Sequence, residues 1–180
     1  MKLELTVGNP NEIIPVKPGY EDFFEELMKL VRTHNLDKQL GEELKRLALT
    51  FPAYYDLDAF DILSSNQYER SLIGKDASGW EAIIMTWRKG RQSSIHGHPQ
   101  FAAYNMLKGR LQLEIFEDAQ GDGNITLVNT LEIDENTGLY AIGESNAMSN
   151  HIHRISCLSD ISYSLHIYSD DARKGFTYSV

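Results

Sequence analysis

The apolar positions of this 180-residue chain change rhythm about one third of the way along. Over residues 20–33, Phe23, Phe24, Leu27, Leu30 and Val31 recur at three- and four-residue steps, the spacing of one helix face, with Pro18-Gly19 at the start. A second such pattern covers 37–49, with Leu40, Leu44 and Leu47 on one face and Pro52 close behind as a stop signal. A third, shorter helix is expected over 56–64. Beyond it the period shortens towards two. Residues 68–73, 82–87, 102–107, 111–116, 125–133, 139–142, 151–157 and 161–168 read as strands. Turn-forming residues separate them, among them Lys108-Gly109, Asn136-Thr137-Gly138 and the stretch from Asp118 to Asn124. The pattern predicts a mainly β protein in which N-terminal α-helices lead into an antiparallel jelly-roll β-barrel or sandwich. One domain is expected over 1–180, helical over 1–65 and a barrel over 66–180.

Composition narrows the function. A hydrophobic content of 42% with 24% charged residues predicts a folded, soluble chain long enough for one well-buried core. The net charge of -9, from 17 basic and 26 acidic residues, argues against a phosphate-backbone partner, so no nucleic acid is expected. No apolar run approaches membrane-spanning length, and the opening MKLELTVGNPNE has no basic flank followed by an apolar core. Neither a membrane nor a secretory leader is therefore expected. The single cysteine, Cys157, excludes an internal disulfide and a cysteine-based zinc site, which points to a cytoplasmic setting. A monomer is expected, with a homodimer as the alternative.

The candidate chemistry begins at His96-Gly97-His98. On a strand, residues two apart point to the same side, so both imidazoles can close on one metal ion. Taken alone, such a pair is as easily two core or surface histidines with ordinary hydrogen bonds. Gly97 between them marks a place where another backbone can come close. Three further histidines, His151, His153 and His166, lie late in the chain in strand-like segments that a barrel could bring to the first pair. On a regular strand His151 and His153 share a side, so either could reach the metal. His34 falls at a helix end, where a cation complements the carbonyl dipole, and is read as structural.

Gly90, five residues, His96-x-His98 and then Gly109 resemble the first motif of the cupins, and His153 resembles the histidine of the second. The usual glutamate of the first motif is replaced by Ala102, which leaves three neutral histidines, a set able to hold ferrous iron with coordination positions open. Within the cupins the chain resembles the thiol dioxygenases of the cysteine dioxygenase type. Five elements carry the likeness in order: Tyr68-Glu69-Arg70, Trp87, Ser93-Ser94-Ile95-His96-x-His98, His153-Arg154 and Ser164-x-His166-x-Tyr168. The resemblance implies a cupin-type barrel with one Fe(II) per chain on His96, His98 and His153, the His-Arg match favouring His153 over His151. It also implies that Arg70 and Tyr68 hold a substrate carboxylate and that Ser164, His166 and Tyr168 form a proton relay.

The implied reaction joins both atoms of O2 to the sulfur of a small thiol amino acid, L-cysteine, giving cysteine sulfinic acid with no external reductant. Related enzymes acting on mercaptopropionate commonly carry glutamine at the arginine position, so Arg70 tilts the reading towards cysteine. Two departures stand out. The cysteine that animal members join to the active-site tyrosine is replaced here, the candidate positions being Ala102 and Ala103, so that cross-link cannot form. The stretch from Asp170 to Gly175 replaces a proline-containing segment often found there. Two alternatives stay open: a dioxygenase for another small thiol such as 3-mercaptopropionate, and a non-oxidative metal-binding cupin, since histidine ligands alone do not choose the metal.

Overall fold

A computed structural model describes residues 16–62 and 66–179 of the chain. Two helices come first, α1 (Glu21–Thr33) and α2 (Lys38–Tyr54). The Asp37 carboxylate caps α2 by accepting from the backbone N–H groups of Gln39 and Leu40 at 2.9 and 3.2 Å. This helix runs past the expected stop, with Pro52 inside its last turn. Proline removes one backward hydrogen bond there, and aromatic packing holds the turn instead. Phe51 is fully buried among Tyr20, Phe23 and Tyr55, and the Tyr55 N–H donates to its carbonyl at 3.0 Å. At the end of α1, the backbone N–H and ring Nδ1 of His34 both lie 3.1 Å from the Leu30 carbonyl oxygen, which agrees with a structural role. The third expected helix is reduced to a 3-10 turn, Leu57–Phe60, capped by Asp56. Residues 63 and 64 of that expectation lie outside the described residues.

Ten strands follow: β1 (Tyr68–Lys75), β2 (Glu81–Arg88), β3 (Ile95–His98), β4 (Phe101–Lys108), β5 (Arg110–Glu117), β6 (Thr126–Asp134), β7 (Gly138–Ile142), β8 (Asn150–Cys157), β9 (Ile161–Tyr168) and β10 (Thr177–Tyr178). They pair antiparallel in two five-stranded sheets, β1-β2-β9-β4-β7 and β10-β3-β8-β5-β6. The ladders thus form a jelly-roll of two facing sheets rather than one hydrogen-bonded, closed barrel.

The central strands β2, β4 and β9 are buried on both faces. Their outward residues, such as Ile84, Ala103, Leu165 and Ile167, pack with Phe23, Leu27, Leu44 and Phe51 of the helices. Each large apolar side chain buried there contributes about 1.5–3 kcal/mol relative to exposure, so the helices are part of the sheet's stability and not an appendage. Their inward residues, Met85, Trp87, Ala102, Met106 and Tyr168, pack against Leu111, Leu113, Ile155 and Cys157 of the second sheet. Cys157 is a buried free thiol in this inner core. Among the described residues no helix is long and apolar enough to cross a membrane.

Gly97 is where backbones crowd. A Cβ there would lie 2.7 Å from both the Met148 carbonyl oxygen and the Ser149 Cα. The Gly97 N–H donates to the Phe176 carbonyl at 2.8 Å, and β10 then pairs with β3 at Thr177↔His96.

Candidate metal centre

Strand pairing assembles the histidines. His96 on β3 lies opposite His153 on β8, but His98 lies opposite Asn150, so three steps on β8 match two on β3. The extra residue sits at His151, whose φ of 52° is left-handed. This bulge breaks the two-residue alternation that would have put His151 beside His153. The His151 ring instead lies 3.5 Å from the Gln100 carbonyl, while its own carbonyl accepts from His98 Nδ1 at 3.2 Å. His151 thus helps the centre through its backbone.

The three remaining rings converge. Centroid separations are 4.6 Å for His96–His98, 4.5 Å for His98–His153 and 5.0 Å for His96–His153, and one nitrogen from each lies within 4.8 Å of the others. His96 Nδ1 lies 2.9 Å from the Ser94 carbonyl, so in His96 and His98 the Nδ1–H is spent on backbone oxygen and Nε2 keeps its lone pair. His98 Nε2 and His153 Nε2 are buried and have no hydrogen-bond partner among the described residues. A buried polar atom left unpaired costs roughly 1–3 kcal/mol, and two of them aimed at one spot are the mark of a metal site. Burial pushes the pKa of all three imidazoles down, well below the ordinary value for His98 and His153, so the set is neutral at pH 7 and able to donate to a cation. These residues fit a metal that takes neutral nitrogen ligands.

Beside His96 opens a cavity of about 230 Å³, smaller than the 300–1,000 Å³ usual for drug-sized ligands and suited to a small metabolite. Tyr68, Arg70, Trp87, His96, His166 and Tyr168 line it, and the sequence motifs single out every one of them. Arg70 is half-buried, with Nη2 3.6 Å from Glu81 Oε1. Glu81 is itself 3% exposed, lies 3.5 Å from Lys75 and accepts the Ala172 N–H at 2.9 Å. It ties Arg70 to the 3-10 turn Ala172–Lys174 at the cavity mouth. No sequence motif includes Glu81; a carboxylate opening an otherwise apolar strand is the signal that marks it.

On β9, Ser164, His166 and Tyr168 form one inward row. Ser164 Oγ lies 2.7 Å from His166 Nε2, and His166 Nδ1 lies 2.8 Å from Tyr168 Oη. Trp87 Nε1–H donates to Ser164 Oγ at 2.9 Å. The indole can only donate, so the serine oxygen accepts there and keeps a proton that it can give to Nε2. In that tautomer of His166, Nδ1–H donates to Tyr168 Oη and the phenolic proton is free for a group in the cavity. Burial, with the nearby Arg70 charge adding to it, holds His166 down at about 3, and burial pushes the Tyr168 phenol up. The row is neutral at pH 7 and presents a hydroxyl donor.

Tyr104 belongs to none of the sequence motifs. It stands between the rings of His153 and His166, with centroids 4.7 and 5.4 Å away, and its buried hydroxyl has no partner among the described residues. Its signal is the inward parity it shares with Ala102. Ala102 lies opposite Tyr168 in the β4–β9 register and packs inside, whereas Ala103 faces the helices. Of the two alanines, Ala102 is therefore the one beside the tyrosine. Arg154 points away from the centre and pairs bidentately with Glu114 across the strands, at 2.6 and 2.9 Å.

Residues 19–178 match the family model described as cysteine dioxygenase type I. No curated protein matches. Solved structures of similar fold include a cupin superfamily protein of Desulfitobacterium hafniense, 14% identical over 65% of this chain and 90% of its own, with a TM-score of 0.48. A Klebsiella pneumoniae protein with a double-stranded β-helix domain is 12% identical over 70% of this chain and 96% of its own, also at 0.48. With the family model spanning nearly all of the helices and both sheets, the chain belongs to the cysteine dioxygenase type I family.

Proposed function

We propose that this protein is an iron(II)-dependent thiol dioxygenase that joins both atoms of O2 to the sulfur of L-cysteine, giving cysteine sulfinic acid. One observation carries the reading: a guanidinium, a phenol donor and one face of a three-histidine cluster line the same small cavity. Iron(II), if held by His96, His98 and His153, would supply a site that favours the thiolate form of a thiol at neutral pH and the redox capacity for dioxygen chemistry. Arg70 offers a planar fork of donors to the substrate carboxylate, and Tyr68 adds a hydroxyl to the same end. Fixing that end sets where the sulfur lies, so reaction occurs in a held geometry rather than by collision. Tyr168, oriented by His166 and Ser164, directs its proton to oxygen as charge develops there. Trp87 and Met85 wall the cavity against water. A cytoplasmic setting suits the free thiol of Cys157.

A second reading, 3-mercaptopropionate as substrate, is favoured by the absence of any carboxylate from the cavity wall among the described residues. The wall offers a guanidinium to an acid but no counter-charge to an ammonium group.

Oxygen uptake by iron(II)-loaded protein, measured separately with L-cysteine, 3-mercaptopropionate and cysteamine, tests both readings. Uptake greatest with L-cysteine and lost in His153→Ala supports the proposal. Preference for 3-mercaptopropionate selects the second reading, and no uptake with any thiol removes both in favour of a non-oxidative metal-binding cupin.

A further inference from the structure

The two sheets part at both edges, and the two gaps differ in chemistry. The gap beside β1 and β10 is the cavity that holds Arg70. The gap at the opposite edge, beside β6 and β7, holds a second cavity of about 240 Å³. Leu113, Ile115, Leu131 and Leu139 supply its walls, and Tyr104 and His153 its inner end. His96 lines the first cavity and His153 the second, so the three-histidine cluster stands between them.

The second cavity reaches the cluster at its inner end. His153, whose Nε2 is the nitrogen turned to the metal site, is 3% exposed and Tyr104 5% exposed, so both lie at the buried end of the leucine-lined space. A mostly apolar passage that ends on a ligand of the metal cluster suits a small apolar molecule on its way to the cluster.

The two co-substrates of the proposed reaction differ in the same way as the two cavities. A thiol acid carries a carboxylate, and taking an unpaired charge between leucine side chains costs far more than binding returns. Dioxygen is uncharged, small and apolar, and loses nothing there. We infer that the cavity between Leu113, Leu131 and Leu139 is the entry route and holding site for dioxygen, separate from the cavity that binds the thiol acid. This rests on the thiol dioxygenase reading. It means that dioxygen reaches the centre without passing over the bound thiol, so filling the Arg70 cavity does not close the oxygen route.

Xenon is a probe of apolar cavities, and its binding is independent of turnover. Crystals of the wild-type protein under xenon pressure are expected to show xenon between Leu131 and Tyr104. In iron(II)-loaded protein, Leu131→Trp is expected to raise the KM for O2 about tenfold while leaving the KM for the thiol unchanged. Leu139→Phe gives the same test where the tryptophan variant does not fold, and Arg70→Ala is expected to do the reverse. Xenon found only in the Arg70 cavity, or a rise in the thiol KM without one for O2, overturns the inference. Xenon in the apolar cavity of a protein that oxidises no thiol overturns the oxygen route together with the proposed function, whereas thiol oxidation without xenon there overturns the route alone.

Discussion

Trp87 occupies one acceptor site of Ser164 Oγ and so favours the arrangement in which the Ser164, His166 and Tyr168 row passes its protons towards the cavity. Without its N–H the serine oxygen loses its fixed donor, and the chain of hydrogen bonds can reverse so that the Tyr168 proton turns inward to His166. Trp87→Phe keeps the ring against Tyr68, whose centroid lies 4.6 Å away, and is expected to lower kcat about tenfold with little change in the thiol KM. Removing the terminal donor costs more: Tyr168→Phe should lower kcat by about 10²–10⁴-fold, the range of a general acid, with iron content unchanged. Both are read by oxygen electrode beside a metal assay, and equal loss of iron would show a structural effect instead. Arg70 acts on binding. Losing a charge-assisted hydrogen bond of about 1.5–3 kcal/mol, Arg70→Ala should raise the KM for L-cysteine and 3-mercaptopropionate about 10–100-fold. Cysteamine has no carboxylate and should be oxidised equally poorly by both proteins; a parallel rise for cysteamine would mean that Arg70 shapes the cavity rather than holding the acid.

At the level of elements, Gly97 shows how closely the metal strand is held. A methyl at this position would need Met148 and Ser149 to retreat from 2.7 Å, and overpacking of this kind costs about 1–3 kcal/mol. Gly97→Ala is therefore expected to lower the melting temperature and weaken metal binding together, since His96 and His98 flank the residue that must move. Unchanged metal affinity in the variant would refute that coupling. The close approach at Gly97 is legible in the sequence because a glycine inside a strand gives up side-chain packing, a loss that a neighbouring backbone drawn in close makes good. Both helices and eight strands are legible too, since their apolar periods are long enough to register, even in β2 and β9 where both faces are buried. What escapes is local and irregular. The bulge at His151 changes one φ angle and leaves no periodic trace, yet it is what separates His151 from His153. β10 spans two residues, too short for any alternation to show, although it covers the edge of the strand that carries two metal ligands. Pro52 reads as a stop because the sequence does not reveal the aromatic cluster that keeps the last turn of α2 in place.

For the molecule as a whole, the helices and both sheets share their apolar contacts, so the described residues are expected to unfold in one cooperative transition. The pH dependence of that transition follows from the buried histidines. His98, His153 and His166 are neutral in the folded protein because burial depresses their pKa, His166 to about 3. In the unfolded chain each returns to about 6.5. Between these limits the unfolded state binds protons that the folded state refuses, so stability rises with pH through this window and falls as the medium is acidified below about 6.5. Each fully shifted histidine adds a slope of up to about 1.4 kcal/mol per pH unit. The depressed carboxylates, Asp171 beside Arg173 and Glu114 beside Arg154, lose their contribution only at lower pH, near and below the ordinary carboxylate range. The interval from pH 7 to 5 therefore belongs to the histidines. Thermal melts of metal-free protein should show the midpoint falling steadily across it, and His166→Gln, which removes one of the five histidines whose pKa burial lowers, should flatten part of the fall. A divalent ion bound to the three-histidine cluster stabilises only the folded state. Because burial keeps His98 and His153 unprotonated in the folded protein, the rise in midpoint on adding iron(II) or zinc should persist from pH 7.5 to 5.5 and be lost in His153→Ala. A metal-induced rise that survives in His153→Ala would place the ion elsewhere on this acidic chain.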